Sequence, residues 1–402
     1  METPEKQWLL GLSLQELTEV AASAGLKRFA GAQIAGWIYP KYADSIEAMT
    51  NISVRAREII SQGYEVGRIA PSEMAESGDG TRKYLFPTRN GRSIETVYIP
   101  DGDRATLCIS SQAGCRMGCH FCMTARGGYG HNLSAGEIIN QIVAIPEREK
   151  LTNIVYMGMG EPLDNLDNVL RSIEIMTSEW GYGWSPTRIT LSTIGVIPNL
   201  KKFLDLTKVH LAVSLHNPFD GERAAIMPMQ KAYPIAGVLE ILAGYDFSHQ
   251  RRLSFEYIMF DGVNDTDRHL AELIRILSPL HCRVNLIRFH AIPGCDLKGT
   301  PDKRIKEFNA ALNKAGITTT TRNSRGEDIF AACGMLAGKK NTSGSGKTTH
   351  QGQENKLYSK NEEITESEIK KFSGFKASVF PGVRNITPCC TKRSPRAMIF
   401  CT

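Results

Sequence analysis

The sequence lacks any apolar run near the roughly 20 residues that a membrane-spanning helix needs, which speaks against a helical membrane protein. It lacks a secretion signal as well: Met1, Glu2, Thr3, Pro4, Glu5 and Lys6 offer neither a basic start nor an apolar stretch. A reducing cytoplasm is therefore the expected setting. There, ten cysteines read as metal ligands, catalytic thiols or core residues rather than as a disulfide framework. A basic body is missing too. The net charge is +6, but 12 of the 48 Lys and Arg and only 5 of the 42 Asp and Glu lie from Lys339 onward, leaving 36 basic and 37 acidic residues before it. That balance excludes nucleic-acid binding by bulk charge, so any RNA path has to be a local patch. A P-loop is also excluded. Gly344, Gly346, Lys347 and Thr348 suggest one, but Asn341 stands where the first glycine belongs and no strand precedes it.

What is present divides the chain into three parts. Residues 1–66 read as a small helical N-terminal accessory domain. Ser13 and Glu16 have the spacing of a capping box, and Leu14, Leu17 and Ala21, then Ile34, Trp37 and Ile38, recur at helical intervals. Lys27, Arg28 and Lys41 read as a solvated helix face. Over residues 82–338, short β-branched runs alternate with longer amphipathic stretches. Strands are expected at 94–99, 105–110, 152–157, 188–193, 209–215, 252–259 and 283–289, the first as an extension before the barrel. Helices are expected at 134–145, 165–178, 197–205, 232–244, 267–278 and 302–314. This alternation predicts an α/β fold with a parallel sheet, and about six units make a partial (β/α)6 barrel rather than a closed eightfold one. Residues 339–402, rich in Ser, Thr, Lys, Gly and Gln, read as a basic, disordered tail with a weak helix near 362–372.

The richest chemical signal is Cys115-Arg-Met-Gly-Cys119-His-Phe-Cys122, a C-x3-C-x2-C spacing. Three thiolates can hold three irons of a [4Fe-4S] cube and leave the fourth open to another ligand. The alternative is a structural zinc site, with His120 or a distant residue as fourth ligand; no second cysteine pair follows nearby. The cysteine loop follows the first barrel strand, at the end where ligands gather in parallel α/β folds. Later strands end in Gly160-Glu161-Pro162, in Ser192-Thr193, in Ser214-Leu215-His216, and near Asn285 and His290. Each could be an ordinary structural polar group; together they outline one polar pocket. Phe121 reads equally as a nucleobase platform or a core ring, and Cys282 and Cys295 as packing residues. Cys389, Cys390 and Cys401 read as incidental tail thiols.

The cysteine run, Gly158-Met-Gly-Glu-Pro162, Leu191-Ser-Thr193, Ser214-Leu-His216 and Ala331-Ala-Cys-Gly334 together resemble the RlmN/Cfr family of radical S-adenosylmethionine enzymes, RlmN more than Cfr. The resemblance covers about residues 10–338. It implies a radical SAM barrel, a [4Fe-4S] cluster on Cys115, Cys119 and Cys122, and S-adenosyl-L-methionine held by Gly160, Glu161, Ser192, Ser214, Leu215, His216 and His290. At His290 the family more often has asparagine. The implied reaction is methylation of adenosine carbon 2 in 23S rRNA and tRNA, or of carbon 8 in the Cfr branch. Implied partners are those RNAs and an electron donor such as flavodoxin or ferredoxin, with no membrane. The family's catalytic positions fall on Cys333, Cys108 and Glu95. By that match Cys333 takes a methyl group, a 5′-deoxyadenosyl radical removes hydrogen from it, and the carbon radical adds to the base. Glu95 then accepts the ring proton, and Cys108 attacks the sulfur of Cys333 to release product and leave a disulfide. A non-catalytic, zinc-bearing RNA-binding module is the rival from another class.

Overall fold

In the N-terminal segment, Glu16 Oε2 accepts from the Ser13 amide at 2.7 Å and the Ser13 hydroxyl accepts from the Glu16 amide at 3.2 Å. This is the capping box expected from the sequence, and it satisfies two amides that the first turn leaves without helical partners. Strand β1 (Gln7–Trp8) precedes helices α1 (Leu14–Ser23), α2 (Ala30–Ile38) and α3 (Val54–Gly63), and β2 (Tyr64–Glu65) returns parallel to β1. The helices bury Leu17, Ile34, Ile38 and Ile60 against one another. The computed structural model describes residues 6–249 and 251–337; the tail and its expected helix near 362–372 lie outside the described residues, as do Cys389, Cys390 and Cys401.

An antiparallel meander follows: β3 (Glu73–Glu76), β4 (Arg82–Pro87), β5 (Ser93–Asp101) and β6 (Arg104–Cys108). The sequence reading has one strand here before the barrel, at 94–99. The polar β3 and the β4 run Arg82-Lys-Tyr-Leu-Phe-Pro87 lack a clean alternation. From β6 onward all pairings in the main sheet are parallel. A hairpin of β7 (Gln112–Gly114) and β8 (Tyr129–Asn132) brackets α4 (Met123–Arg126), and α5 (Ala135–Val143) leads to β9 (Asn153–Tyr156). Then come α6 (Leu166–Thr177), β10 (Ile189–Thr193), α7 (Ile197–Leu206), β11 (His210–Ser214), α8 (Asp220–Ile226) and α9 (Ile235–Ala243). The last elements are β12 (Leu253–Met259), α10 (Asp267–Leu277), β13 (Arg283–Arg288), α11 (Asp302–Lys314) and β14 (Thr318–Arg322).

The main sheet runs β14-β13-β12-β11-β10-β9-β6-β5-β4-β3 without its ends pairing, so the barrel is open. Six strand-helix units are present as expected, and β14 is a seventh parallel strand that the sequence reading lacks. Its sequence, Thr-Thr-Thr-Thr-Arg, has no apolar alternation because it lies at the sheet edge.

Alternation along the parallel strands separates two surfaces. Leu211, Val213, Phe255, Tyr257 and Leu286 are fully buried in the main core, each contributing about 1.5–3 kcal/mol by leaving water. Their neighbours face the lumen and are largely polar: Thr190, Ser254, Glu256, Asn285 and Thr320. A closed barrel fills its axis with branched apolar side chains; this one keeps an open polar column.

Candidate active site

At the C-terminal ends of the strands, Cys115, Cys119 and Cys122 line one cavity of about 160 Å³ together with Gly160, Glu161, Ser192, Ser214 and His216. The cysteine loop is held from several sides. The Cys115 amide donates to Gly128 O at 3.3 Å, the His120 amide to Ile226 O at 3.0 Å, and the Cys122 amide to Cys119 O at 3.2 Å. Arg116 grips Asp164 with both prongs of its guanidinium, at 2.7 and 2.8 Å, tying the loop to the turn after Glu161. Burial pushes all three thiols up, so thiolates form here only with a compensating cation. The buried guanidinium of Arg223 lies close enough to Cys119 to interact with its charge. It donates to Leu215 O at 3.0 Å and Ser214 O at 2.8 Å.

Glu161 is buried, and both its carboxylate oxygens are already used. Oε1 accepts from Thr193 Oγ1 at 2.6 Å and the Leu163 amide at 3.0 Å; Oε2 accepts from the Ile194 amide at 2.9 Å. These bonds lock the ends of β9 and β10 together. Burial outweighs them and raises the carboxyl to about 7. Gly160 adopts a φ of 96°, and a Cβ there would stand 2.5 Å from the Gln112 side chain, so only glycine fits this approach. His216 also has a positive φ, 54°. Its Nδ1 accepts from the Ile258 amide at 3.1 Å, so the ring is held neutral, and burial lowers it to about 3.

Two expected cofactor contacts lie elsewhere. The Leu215 side chain is in the apolar core, which leaves only its backbone for a ligand. His290 lines a second cavity, with Nε2 at 2.6 Å from Ser324 Oγ and Nδ1 at 2.9 Å from Glu327 Oε1. Phe121 is a buried core ring that also lines the cavity, and it packs edge-on against His216 with ring centroids 5.0 Å apart.

Cys333 lines both cavities. Cys108 sits at the end of β6, flanked by Val97 and Val155. It is close enough to Cys333 for their charges to interact, and burial raises its thiol to about 12. The nearby cation is Arg322 on β14, whose charge acts on Cys333, Glu256 and Cys108. All seven cysteines among the described residues are free thiols, so the disulfide implied as a turnover product is not formed in this state. Glu95 lies at the edge of the site. It pairs with Lys83 at 3.0 Å and accepts from the Ala337 amide at 2.7 Å, and it does not line either cavity.

Comparison with known proteins decides the family. Residues 109–274 match the model of the radical SAM superfamily, and residues 8–66 match that of the ribosomal RNA large subunit methyltransferase N-terminal domain. A probable dual-specificity RNA methyltransferase RlmN from Phocaeicola vulgatus is 53% identical over 348 residues, 87% of this chain and 99% of its own. The probable RlmN of Porphyromonas gingivalis is 55% identical over the same span, with 87% and 99% coverage.

The chain belongs to the RlmN family.

A crystal structure of a radical SAM methyltransferase from Sphaerobacter thermophilus superposes with a TM-score of 0.78 at 39% identity, covering 82% of this chain and 99% of that one. As an RlmN-family enzyme, the chain is a radical SAM RNA methyltransferase that uses a [4Fe-4S] cluster and S-adenosyl-L-methionine, which overturns the non-catalytic zinc module. The cysteine loop fits the cluster. Among the described residues, no three His, Cys, Asp or Glu side chains converge as ligands of a single ion. A cube instead takes each thiolate on a separate iron. Arg223 adds a buried positive charge where thiolates gather.

Sequence reasoning missed Arg223, Glu256 and Arg322. Each lies outside the recognised motifs, and nothing local marks it. The one available signal was parity: Glu256 is two residues beyond Ser254 on a strand whose alternate positions are apolar.

Proposed function

We propose that this enzyme methylates carbon 2 of adenosine in 23S ribosomal RNA and in tRNA through a methyl group carried on Cys333. The observation that carries this reading is Cys333 itself, on the wall of the cavity that holds the cysteine triad, with Arg322 and Cys108 close to it. The names of the curated relatives support a dual-specificity RNA substrate.

When bound, the cluster supplies the electron that turns S-adenosyl-L-methionine into a hydrogen-abstracting reagent. The protein's own groups do the rest. Cys333, within reach of the Arg322 charge, takes the methyl group by displacement. Gly160, Glu161, Ser192, Ser214 and His216 line the wall against which S-adenosyl-L-methionine packs; Leu215 offers its backbone, and His290 stands below. Once the methyl carbon on Cys333 is joined to the ring, Glu95 accepts the ring proton. Its carboxylate already accepts from the Ala337 amide and pairs with Lys83, and lone pairs remain for the proton. Cys108 then attacks the Cys333 sulfur: an S–S bond forms as the bond from that sulfur to the methylene carbon breaks, and the carbon takes up a proton to become the product's methyl group. A small redox protein such as flavodoxin or ferredoxin supplies the electrons. Residues 1–66 serve as a helical accessory domain, 82–338 as the catalytic barrel and 339–402 as an appended tail.

Mass spectrometry of RNA from cells with and without the gene tests the reading. The expected result is 2-methyladenosine that depends on the gene; 8-methyladenosine in its place would assign the carbon 8 reaction.

A further inference from the structure

The larger cavity, about 450 Å³, begins at Cys333 and runs down the lumen to the N-terminal ends of the strands. Arg104 opens β6, Arg283 opens β13, and Arg252 immediately precedes β12. All three line this lower mouth together with His210, the first residue of β11. Among the described residues, none of the three arginines forms an ion pair, whereas the nearby Asp101 is taken by Arg325 at 2.9 Å. The arginines repel one another: burial and the charges of Arg283 and Arg104 lower Arg252. Burial and the charges of Arg252 and Arg283 hold His210 neutral, at about 4. A fold gains nothing by gathering unpaired guanidinium groups, so the mouth is set up for an anion from outside.

Midway up the column stands Glu256, only 4% exposed. Its Oε1 accepts from Asn285 Nδ2 at 2.8 Å, and its Oε2 has no hydrogen-bond partner. An unpartnered buried carboxylate oxygen is costly. Glu256 lines both cavities, as Cys333 does. A ligand that satisfied Oε2 would therefore also reach the reactive thiol. The carboxylate can only accept, and adenine offers its exocyclic amine as a donor where guanine offers a carbonyl. Enzymes that act on a base draw it out of its stack into such a pocket.

We propose that RNA enters this enzyme through the lower mouth of the barrel, with Arg104, Arg252 and Arg283 holding phosphates that flank the target nucleotide and Glu256 Oε2 accepting from its exocyclic amine. The assignment rests on the RNA-methylating role proposed above and adds the path and the selectivity.

Binding of a fluorescently labelled tRNA transcript to the anaerobic holoenzyme, measured across a salt series, tests the mouth. The combined Arg104→Ala, Arg252→Ala and Arg283→Ala variant should flatten the slope of log affinity against log salt by about 2–3. Lys201→Ala, on the exposed face of α7, should leave it unchanged. Equal slopes for the triple variant and wild type would overturn the entry path. For Glu256, the probe is an RNA carrying purine riboside, which lacks the amine, at the target position. Wild type should prefer the adenosine RNA by roughly tenfold or more, and Glu256→Ala should bind both alike. A preference that survives in Glu256→Ala would remove Glu256 from recognition. These are binding measurements. They can fail while the mass of the Cys333 peptide still shows a methyl group, so they are separable from the test of the reaction.

Discussion

Cys108 and Cys333 are neighbours in space and are held in opposite ways. Cys108 ends a strand with a paired strand on either side. Cys333 lies in a loop built on left-handed turns at Gly326, Phe330 and Gly334. That loop is pinned by single contacts: Met123 amide to Gly334 O at 2.8 Å, Thr124 Oγ1 to Leu336 O at 2.6 Å, and Glu95 to the Ala337 amide. Beneath it, Met123, Ile292, Ala332 and Met335 form a small apolar cluster separate from the main core. A thiol that must meet a methyl donor, a base and a second thiol needs a movable mount, whereas a thiol with one late task is better fixed. Low local contact density makes local opening cheap. The difference in mounting fits the roles proposed above, with Cys333 as carrier and Cys108 as resolving thiol.

The largest effects test that assignment directly. Cys333→Ala should leave no methylated RNA, whereas Cys108→Ala should accumulate a covalent protein-RNA adduct visible as a shifted band on denaturing gels. A methyl group found on the Cys108 peptide of the purified enzyme would invert the comparison.

Removing the charge near both thiols comes next. Arg322→Met should slow methylation of Cys333 by about 10- to 100-fold, the equivalent of a lost charge-assisted contact of roughly 1.5–3 kcal/mol. Arg322→Lys, which keeps the positive charge, should recover part of the rate. An unchanged methylation rate in Arg322→Met would mean that Arg322 only fills space.

Loosening the mount is milder. Thr124→Val removes the buried bond to Leu336 O, worth about 1 kcal/mol, and should speed hydrogen exchange at residues 334–337 by about fivefold while leaving β6 protected. Faster exchange in β6 would show that the loop and strand open as one unit.

The smallest effect lies on the rigid side. His210 and His216 are depressed to about 4 and about 3, so the folded state binds fewer protons than the unfolded chain below pH about 6.5. Their contribution to stability is complete above that value and is lost as pH falls toward 4 and then 3. His216→Asn, which tolerates the left-handed backbone, should reduce the drop in urea midpoint between pH 7.5 and 5.0.

Much of this was legible before folding because it is local. The Ser13 and Glu16 box, the alternation of strands and helices, and the cysteine loop at the end of β6 all follow from spacing along the chain. So did Gly160, whose positive φ places a glycine-bearing motif against Gln112. Three features were not legible, for different reasons. β14 is an edge strand of threonines with no apolar signature. Glu95 carries a motif match, but its partners Lys83 and Ala337 come from an adjacent strand and from a loop 242 residues further on. Arg322 and Glu256 are single charges on strands, and their meaning depends on what stands opposite.

The sequence by itself determined the chemistry in outline: a triad of thiols for a cluster, two further cysteines, and a parallel barrel to carry them. Only the tertiary structure decided that Cys108 is held between two paired strands while Cys333 stands in a loop, that the charge of Arg322 reaches both thiols, and that the barrel axis is an open polar column from an arginine-lined mouth to Cys333. Spacing specifies which neighbours share a turn or a strand face. Burial and charge pairing, which set the reactivity of a thiol or the cost of a lone carboxylate oxygen, arise only when strands distant in sequence close around a common axis.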